Sequence, residues 1–165
     1  VVTKLRELGV TNAVFVWNMM GYSGHGHLYD DLYPGHDVVD WIAWDPYASK
    51  GTTMAELVDE DCCNAPNWDG FYTWATRKAP GKPLMLAEWG FNLLVNTAGP
   101  SALANGAETL RAQFPALKAL VYWNEFGVGN YRIDETSDLG RAYGNAYREF
   151  ANDPYFNSTS TADAP

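Results

Sequence analysis

Hydrophobic residues cluster in four short runs along the chain: Ala13-Val14-Phe15-Val16-Trp17, Val38-Val39-Asp40-Trp41-Ile42-Ala43-Trp44, Leu84-Met85-Leu86-Ala87 and Ala119-Leu120-Val121-Tyr122-Trp123. Each is near-continuous rather than alternating, the pattern of a strand in a parallel sheet covered on both faces. Helical stretches with stop signals lie around them. Thr3 to Leu8 ends at Gly9, Trp68 to Lys78 stops before Pro80-Gly81, Ser101 to Gln113 before Pro115, and Asp138 to Phe150 before Asp153-Pro154. The resulting order, helix, strand, connection, strand, helix, strand, helix, strand, helix, predicts β-α-β units with right-handed crossovers and parallel strands.

A doubly wound sheet and a (β/α) barrel would both give this order. No Gly-rich phosphate turn follows any run; each ends instead in aromatic and polar residues, at Trp17-Asn18, Trp44-Asp45-Pro46-Tyr47, Glu88-Trp89-Gly90 and Trp123-Asn124-Glu125. In a (β/α)8 barrel the C-terminal strand ends form the rim of the active site, so this distribution favours the barrel. With four countable strands and 165 residues, against eight strands and about 250 residues for a full barrel, the expected fold is α/β and half a barrel. Residues 1–151 form the expected partial catalytic domain, and 152–165, small and polar, a tail or linker start. An open half leaves strand edges unpaired and an aromatic face uncovered, which favours self-association through that face. The sequence opens on Val1-Val2-Thr3-Lys4, with neither a Met nor a signal peptide, so further chain is expected before it.

Twenty acidic against eleven basic side chains give a net charge of −9, which argues against nucleic acid and anionic membrane partners. No apolar run approaches the roughly 20 residues of a membrane-spanning helix. The chain also carries 7 Trp, 10 Tyr and 7 Phe, a content that suits either an aromatic-rich core or a surface that stacks on sugar rings. Cys62 and Cys63 are adjacent and are expected to be free thiols, because neighbouring residues rarely reach unstrained disulfide geometry. His25-Gly26-His27, with Asp30 and Asp31 nearby, offers two imidazoles where catalytic zinc usually takes three protein ligands, so loop histidines are expected, and no metal or cofactor. Asn157-Ser158-Thr159 has the pattern of a glycosylation sequon.

Glu88 stands out, a carboxylate leaving an apolar strand and followed by an aromatic residue and a close-packing Gly90. Glycoside hydrolysis needs two carboxyl groups, one to protonate the departing oxygen and one to attack the anomeric carbon or activate water; they lie about 5–5.5 Å apart in retaining enzymes and about 6.5–9.5 Å apart in inverting ones. Asp45 and Glu125 are the partners available on adjacent strand ends, and neither has the clearer claim to be the acid.

Three ordered segments, Tyr33-Pro34-Gly35-His36-Asp37-Val38-Val39-Asp40-Trp41-Ile42-Ala43-Trp44-Asp45-Pro46-Tyr47, then Lys82-Pro83-Leu84-Met85-Leu86-Ala87-Glu88-Trp89-Gly90, then Val121-Tyr122-Trp123-Asn124, resemble glycoside hydrolase family 26. That family contains the β-1,4-mannanases and relatives acting on xylans and mixed-linkage glucans. The resemblance spans roughly residues 11 to 150 and implies the C-terminal half, about strands five to eight, of a retaining (β/α)8 enzyme. Glu88 then matches the nucleophile, Tyr47 the tyrosine that orients it, and Trp123 part of the sugar platform. Trp17 and Asn18 match a site-lining position, and Trp89, Asp45 and Glu125 complete the expected substrate contacts.

In this family the acid/base glutamate ends the fourth strand in a His-Glu pair, which would lie upstream of Val1, so the chain alone is expected to be weakly active or inactive. The implied reaction is retaining, endo-acting hydrolysis of a β-linked polysaccharide, β-1,4-mannan first, by a secreted enzyme; secretion is inferred from the polymeric substrate. A β-1,4-glucanase or xylanase-type hydrolase of the same barrel clan is the alternative enzyme. A non-catalytic polysaccharide-binding fragment is the alternative without chemistry.

Overall fold

Five parallel strands, one of them only two residues long, form the spine of the structure, a computed structural model that describes residues 1–48, 51–60 and 68–157. β1 (Val16–Met20) pairs with β2 (Trp41–Asp45), and past Pro46 the same line continues as the two-residue β3 (Tyr47–Ala48). Both β2 and β3 pair with β4 (Leu84–Phe91), whose other edge carries β5 (Leu117–Tyr122). α1 (Val2–Glu7) precedes β1, and two short 3-10 turns with α2 (Tyr29–Leu32) lead to β2. α3 (Met54–Val58) and α4 (Phe71–Lys78) connect β3 to β4, α5 (Gly99–Ala104) and α6 (Gly106–Gln113) connect β4 to β5, and α7 (Asp138–Ala151) follows.

The core lies between the sheet and these helices. Ile42, Trp44, Leu84, Leu86 and Trp89 are buried there with Phe71 and Trp74 of α4, Leu103 of α5, Leu110 of α6 and Tyr143 of α7. Aromatic rings fill much of it. Trp44 stacks on Phe71 at 4.6 Å, Trp17 lies 5.6 Å from Trp74, and Trp89 meets the edge of Tyr122 at 4.9 Å. Such pairs each add about 0.5–1.5 kcal/mol beyond the area they bury. The aromatic content is therefore largely structural.

Local sequence sets the helix ends. Thr53 and Glu56 form a reciprocal capping box at the start of α3. α4 opens on Gly70 with no capping side chain of its own, and Asp59 supplies the acceptor instead, taking the Thr73 N–H at 3.0 Å and its hydroxyl at 2.6 Å. Gly70 has φ +98, and a Cβ there would run into the Asp59 carboxylate, so glycine is required by both conformation and space.

The opposite face of the sheet is open. By strand alternation it carries Val16, Asn18 and Met20 of β1, Ala43 and Asp45 of β2, Met85 of β4 and Val121 of β5, and Val16, Met20 and Val121 are exposed. Among the described residues no strand pairs with the outer edge of β1 or of β5.

Several boundaries differ from those read off the sequence. β1 starts at Val16 rather than Ala13, so Trp17-Asn18 sits mid-strand and Met20 forms the strand end. The helix expected over 101–113 is two helices broken at Asn105, and α3 was not anticipated in the loop after Tyr47. Beyond residue 152 the chain is still seated on the core through Asn157: Asp153 pairs with Arg111 at 3.0 Å, and Phe156 packs on Phe150 at 4.8 Å. Cys62, Cys63 and the last two sequon residues lie outside the described residues.

Leu86 is fully buried at the centre of this layer. Leu86→Ala is expected to cost about 2–5 kcal/mol, read as a lower urea midpoint at unchanged slope.

Candidate active site

At the C-terminal end of the strands, the Tyr47 phenol donates a hydrogen bond of 2.5 Å to Glu88 Oε2. Their strands explain the meeting. Tyr47 is in register with Gly90 across the β3–β4 pair, and the β4–β5 register slips between Leu86 and Trp89. Leu86 and Trp89 both face the helices although they are three residues apart, so this irregularity turns Glu88 to the other face. A regular strand would have carried Glu88 to the core side with Leu86. Burial, the bond to Glu88 and the negative charges of Glu88 and Asp45 push the Tyr47 phenol well above its ordinary value, so it stays a neutral donor.

Asp45 lies in the same cluster. Its Oδ2 accepts a 2.7 Å hydrogen bond from Asn18 Nδ2, while Oδ1 is buried without a partner among the described residues. Burial holds this carboxyl above the usual carboxylate range, reinforced by the charge of Glu88 and opposed by the Asn18 bond. Gly21 lies against this strand end: a Cβ there would stand 2.7 Å from the Asp45 carbonyl carbon.

Trp123 follows β5, 40% exposed, with its backbone N–H bonded to the Trp89 carbonyl at 2.9 Å. Its indole is accessible beside the strand end that carries Glu88. Glu125 is exposed and folds onto its own loop, its Oε1 accepting from Phe126 N at 3.0 Å.

The structure thus brings Glu88, Tyr47, Asp45 and Asn18 together, with Trp123 on the neighbouring strand end. Two expected sugar contacts do not join them. Trp89, 1% exposed, points into the helix layer among Tyr122, Tyr147 and Phe150. Trp17 also faces the helices, because it sits mid-strand with the opposite parity to Asn18, and its ring packs against Tyr29, Tyr33, Phe71 and Trp74. Neither offers a face to a sugar in the cleft. His25 lies against Tyr22 at 5.2 Å, and among the described residues no group of three His, Cys, Asp or Glu side chains could hold a metal ion.

Sequence reasoning missed Tyr131. Its ring lies 4.9 Å from that of Tyr47 and occupies the space over Gly90, where a Cβ would come within 2.9 Å of it. Gly127-Val128-Gly129-Asn130 was the available signal, a turn composition that folds the chain back to deliver Tyr131.

Neither a scan of protein-family models nor a search of curated proteins found a match to the sequence. Solved structures do match in fold. A Cellulomonas fimi endo-β-1,4-mannanase double mutant aligns at TM-score 0.61 and 22% identity, covering 97% of this chain and 35% of that one. The modular Cellulomonas fimi endo-β-1,4-mannanase, described with the glycoside hydrolase family 26 mannanases, aligns at 0.60 and 22%, covering 93% and 34%. The catalytic domain of a family 26 endo-β-1,4-mannanase from Bacillus sp. JAMB-750 aligns at 0.59 and 20%, covering 95% and 43%. The chain therefore spans between about a third and two fifths of the length of these structures. The likeness establishes an α/β half-barrel fold.

Because folding favours protonated Asp45, its contribution to stability is present below the usual carboxylate range and is lost as pH rises through the raised value. Asp45→Asn is therefore expected to melt above the wild type at neutral pH, with the gap closing in acid below the carboxylate range; thermal unfolding at the two pH values checks this.

Proposed function

We propose that this chain carries the nucleophile side of a retaining glycoside hydrolase site of the family 26 type, acting on β-1,4-linked mannan. The observation that carries the reading is the Tyr47–Glu88 hydrogen bond at the C-terminal end of parallel strands, beside the accessible indole of Trp123. The substrate class is supported by the fold matches, which are endo-β-1,4-mannanases.

In this reading Glu88 Oε1, the oxygen not bonded to Tyr47, attacks the anomeric carbon. A carbon–oxygen bond forms to the enzyme as the glycosidic bond breaks, leaving a covalent glycosyl ester that water then hydrolyses. The Tyr47 phenol donates to Glu88 Oε2 and so fixes the direction of the free oxygen. Trp123 offers an indole face to the pyranose during its distortion.

The departing oxygen needs a proton. Asp45 is poorly suited to supply it, since Oδ1 is buried and Oδ2 is held by Asn18. The reading instead assigns acid/base work to a glutamate on a strand outside these 165 residues, as the family resemblance implies. Asp45 acts in the second row, holding Asn18 and adding negative potential near the oxocarbenium-like transition state. A polymeric substrate too large to enter a cell goes with a secreted enzyme.

An aryl β-mannoside with an activated leaving group needs little protonation and tests Glu88 in the chain as it stands. Slow turnover is expected, abolished in Glu88→Gln and lowered on the order of 100-fold in Tyr47→Phe. Equal rates in wild type and Glu88→Gln would overturn the reading, and faster turnover of the aryl β-glucoside or β-xyloside would move the substrate class.

A further inference from the structure

The loop after β5 folds into a hairpin with its own hydrogen bonds. Phe126 and Asn130 form an antiparallel bridge, Gly127 N–H donates to the Gly129 carbonyl at 2.9 Å, and Tyr131 N–H donates to the Glu125 carbonyl at 3.0 Å. The loop after β4 grips it. Asn92 Oδ1 accepts both Asn130 N–H at 3.0 Å and Leu94 N–H at 3.1 Å, and Leu93 N–H donates to the Asn130 carbonyl at 2.7 Å. From below, the Tyr122 phenol donates to the Tyr131 carbonyl at 2.6 Å. The Asn92 side chain also fills the space beside Gly129, where a Cβ would stand 2.6 Å from Nδ2.

This bracing holds up a residue that contributes nothing to the core. Phe126 is 60% exposed, and Val128 at the tip is fully exposed. A large flat ring kept in water by a fixed backbone forgoes its burial energy, whereas Phe71, Phe91, Phe114 and Phe150 are buried and Phe15 and Phe156 are partly so. Phe126 follows Trp123 by three residues, so their Cα atoms lie at most about 10 Å apart, a short step along the same rim.

We infer that Phe126 is an outer sugar-stacking position, a second aromatic face that receives a pyranose of a bound β-linked chain beyond the unit at Trp123. The inference rests on the proposed function, whose site it extends. Asn92 is the positioning residue, acting through the hairpin without touching sugar. The rigid mount matters because a preordered ring loses little entropy on binding.

Calorimetry of the 165-residue chain with mannobiose and mannohexaose tests it. Wild type is expected to bind the hexaose more tightly than the disaccharide. Phe126→Ala should weaken hexaose binding about fivefold, leave mannobiose unchanged and melt with the wild type, while Phe126→Tyr should restore hexaose affinity. Trp123→Ala should weaken both ligands. Unchanged hexaose affinity in Phe126→Ala would overturn the inference and leave the Glu88 site intact. Failure of wild type to bind either oligosaccharide would overturn the inference together with the mannan reading.

Discussion

The hydrogen bond between Tyr47 and Glu88 depends on two departures from regular sheet structure meeting at one level. On one side Pro46, which has no N–H for the ladder, separates β2 from β3 and lets Tyr47 stand on the open face two residues beyond Asp45. On the other, the irregularity between Leu86 and Trp89 turns Glu88 to that face while Trp89 stays in the core. Gly90 and Gly21 then allow Tyr131 and the Asp45 strand end to close in. Without the slip, regular alternation would carry Glu88 to the core side, away from its donor.

That arrangement sorts the aromatic residues into two populations with different work. Trp17, Trp44, Trp74 and Trp89 bind the sheet to its helices, and their burial makes the half barrel cohesive despite its open edges. Tyr47, Trp123 and Phe126 remain accessible at or after the strand ends. The first population supports the second: Trp89 accepts the Trp123 N–H through its carbonyl, and Tyr122 anchors the hairpin that carries Phe126.

The strand and helix order was legible in the sequence because parallel strands buried on both faces leave continuous apolar runs, and helix ends leave glycine and proline. Glu88 stood out as a carboxylate directly after four apolar residues, whereas Tyr47 was marked only by the family resemblance. Trp17 and Trp89 were misjudged because composition does not reveal which face a side chain takes. Trp17 falls within β1 at the opposite parity to Asn18, and the slipped register in β4 turns Trp89 into the core. For Tyr131 the sequence offered only the turn before it, and for Asn92 nothing, because their contacts join loops that lie far apart in sequence and adjacent only after the strands have paired.

If Glu88 is the nucleophile, it must carry the sugar for part of each turnover. A 2-deoxy-2-fluoro-β-mannoside with a dinitrophenolate leaving group slows breakdown of that ester and needs little acid assistance in forming it. After incubation and proteolysis, mass spectrometry should find one fluoromannosyl group on the peptide containing Glu88 and none in Glu88→Gln. An unlabelled protein, or a label on another residue such as Asp45, would contradict the account.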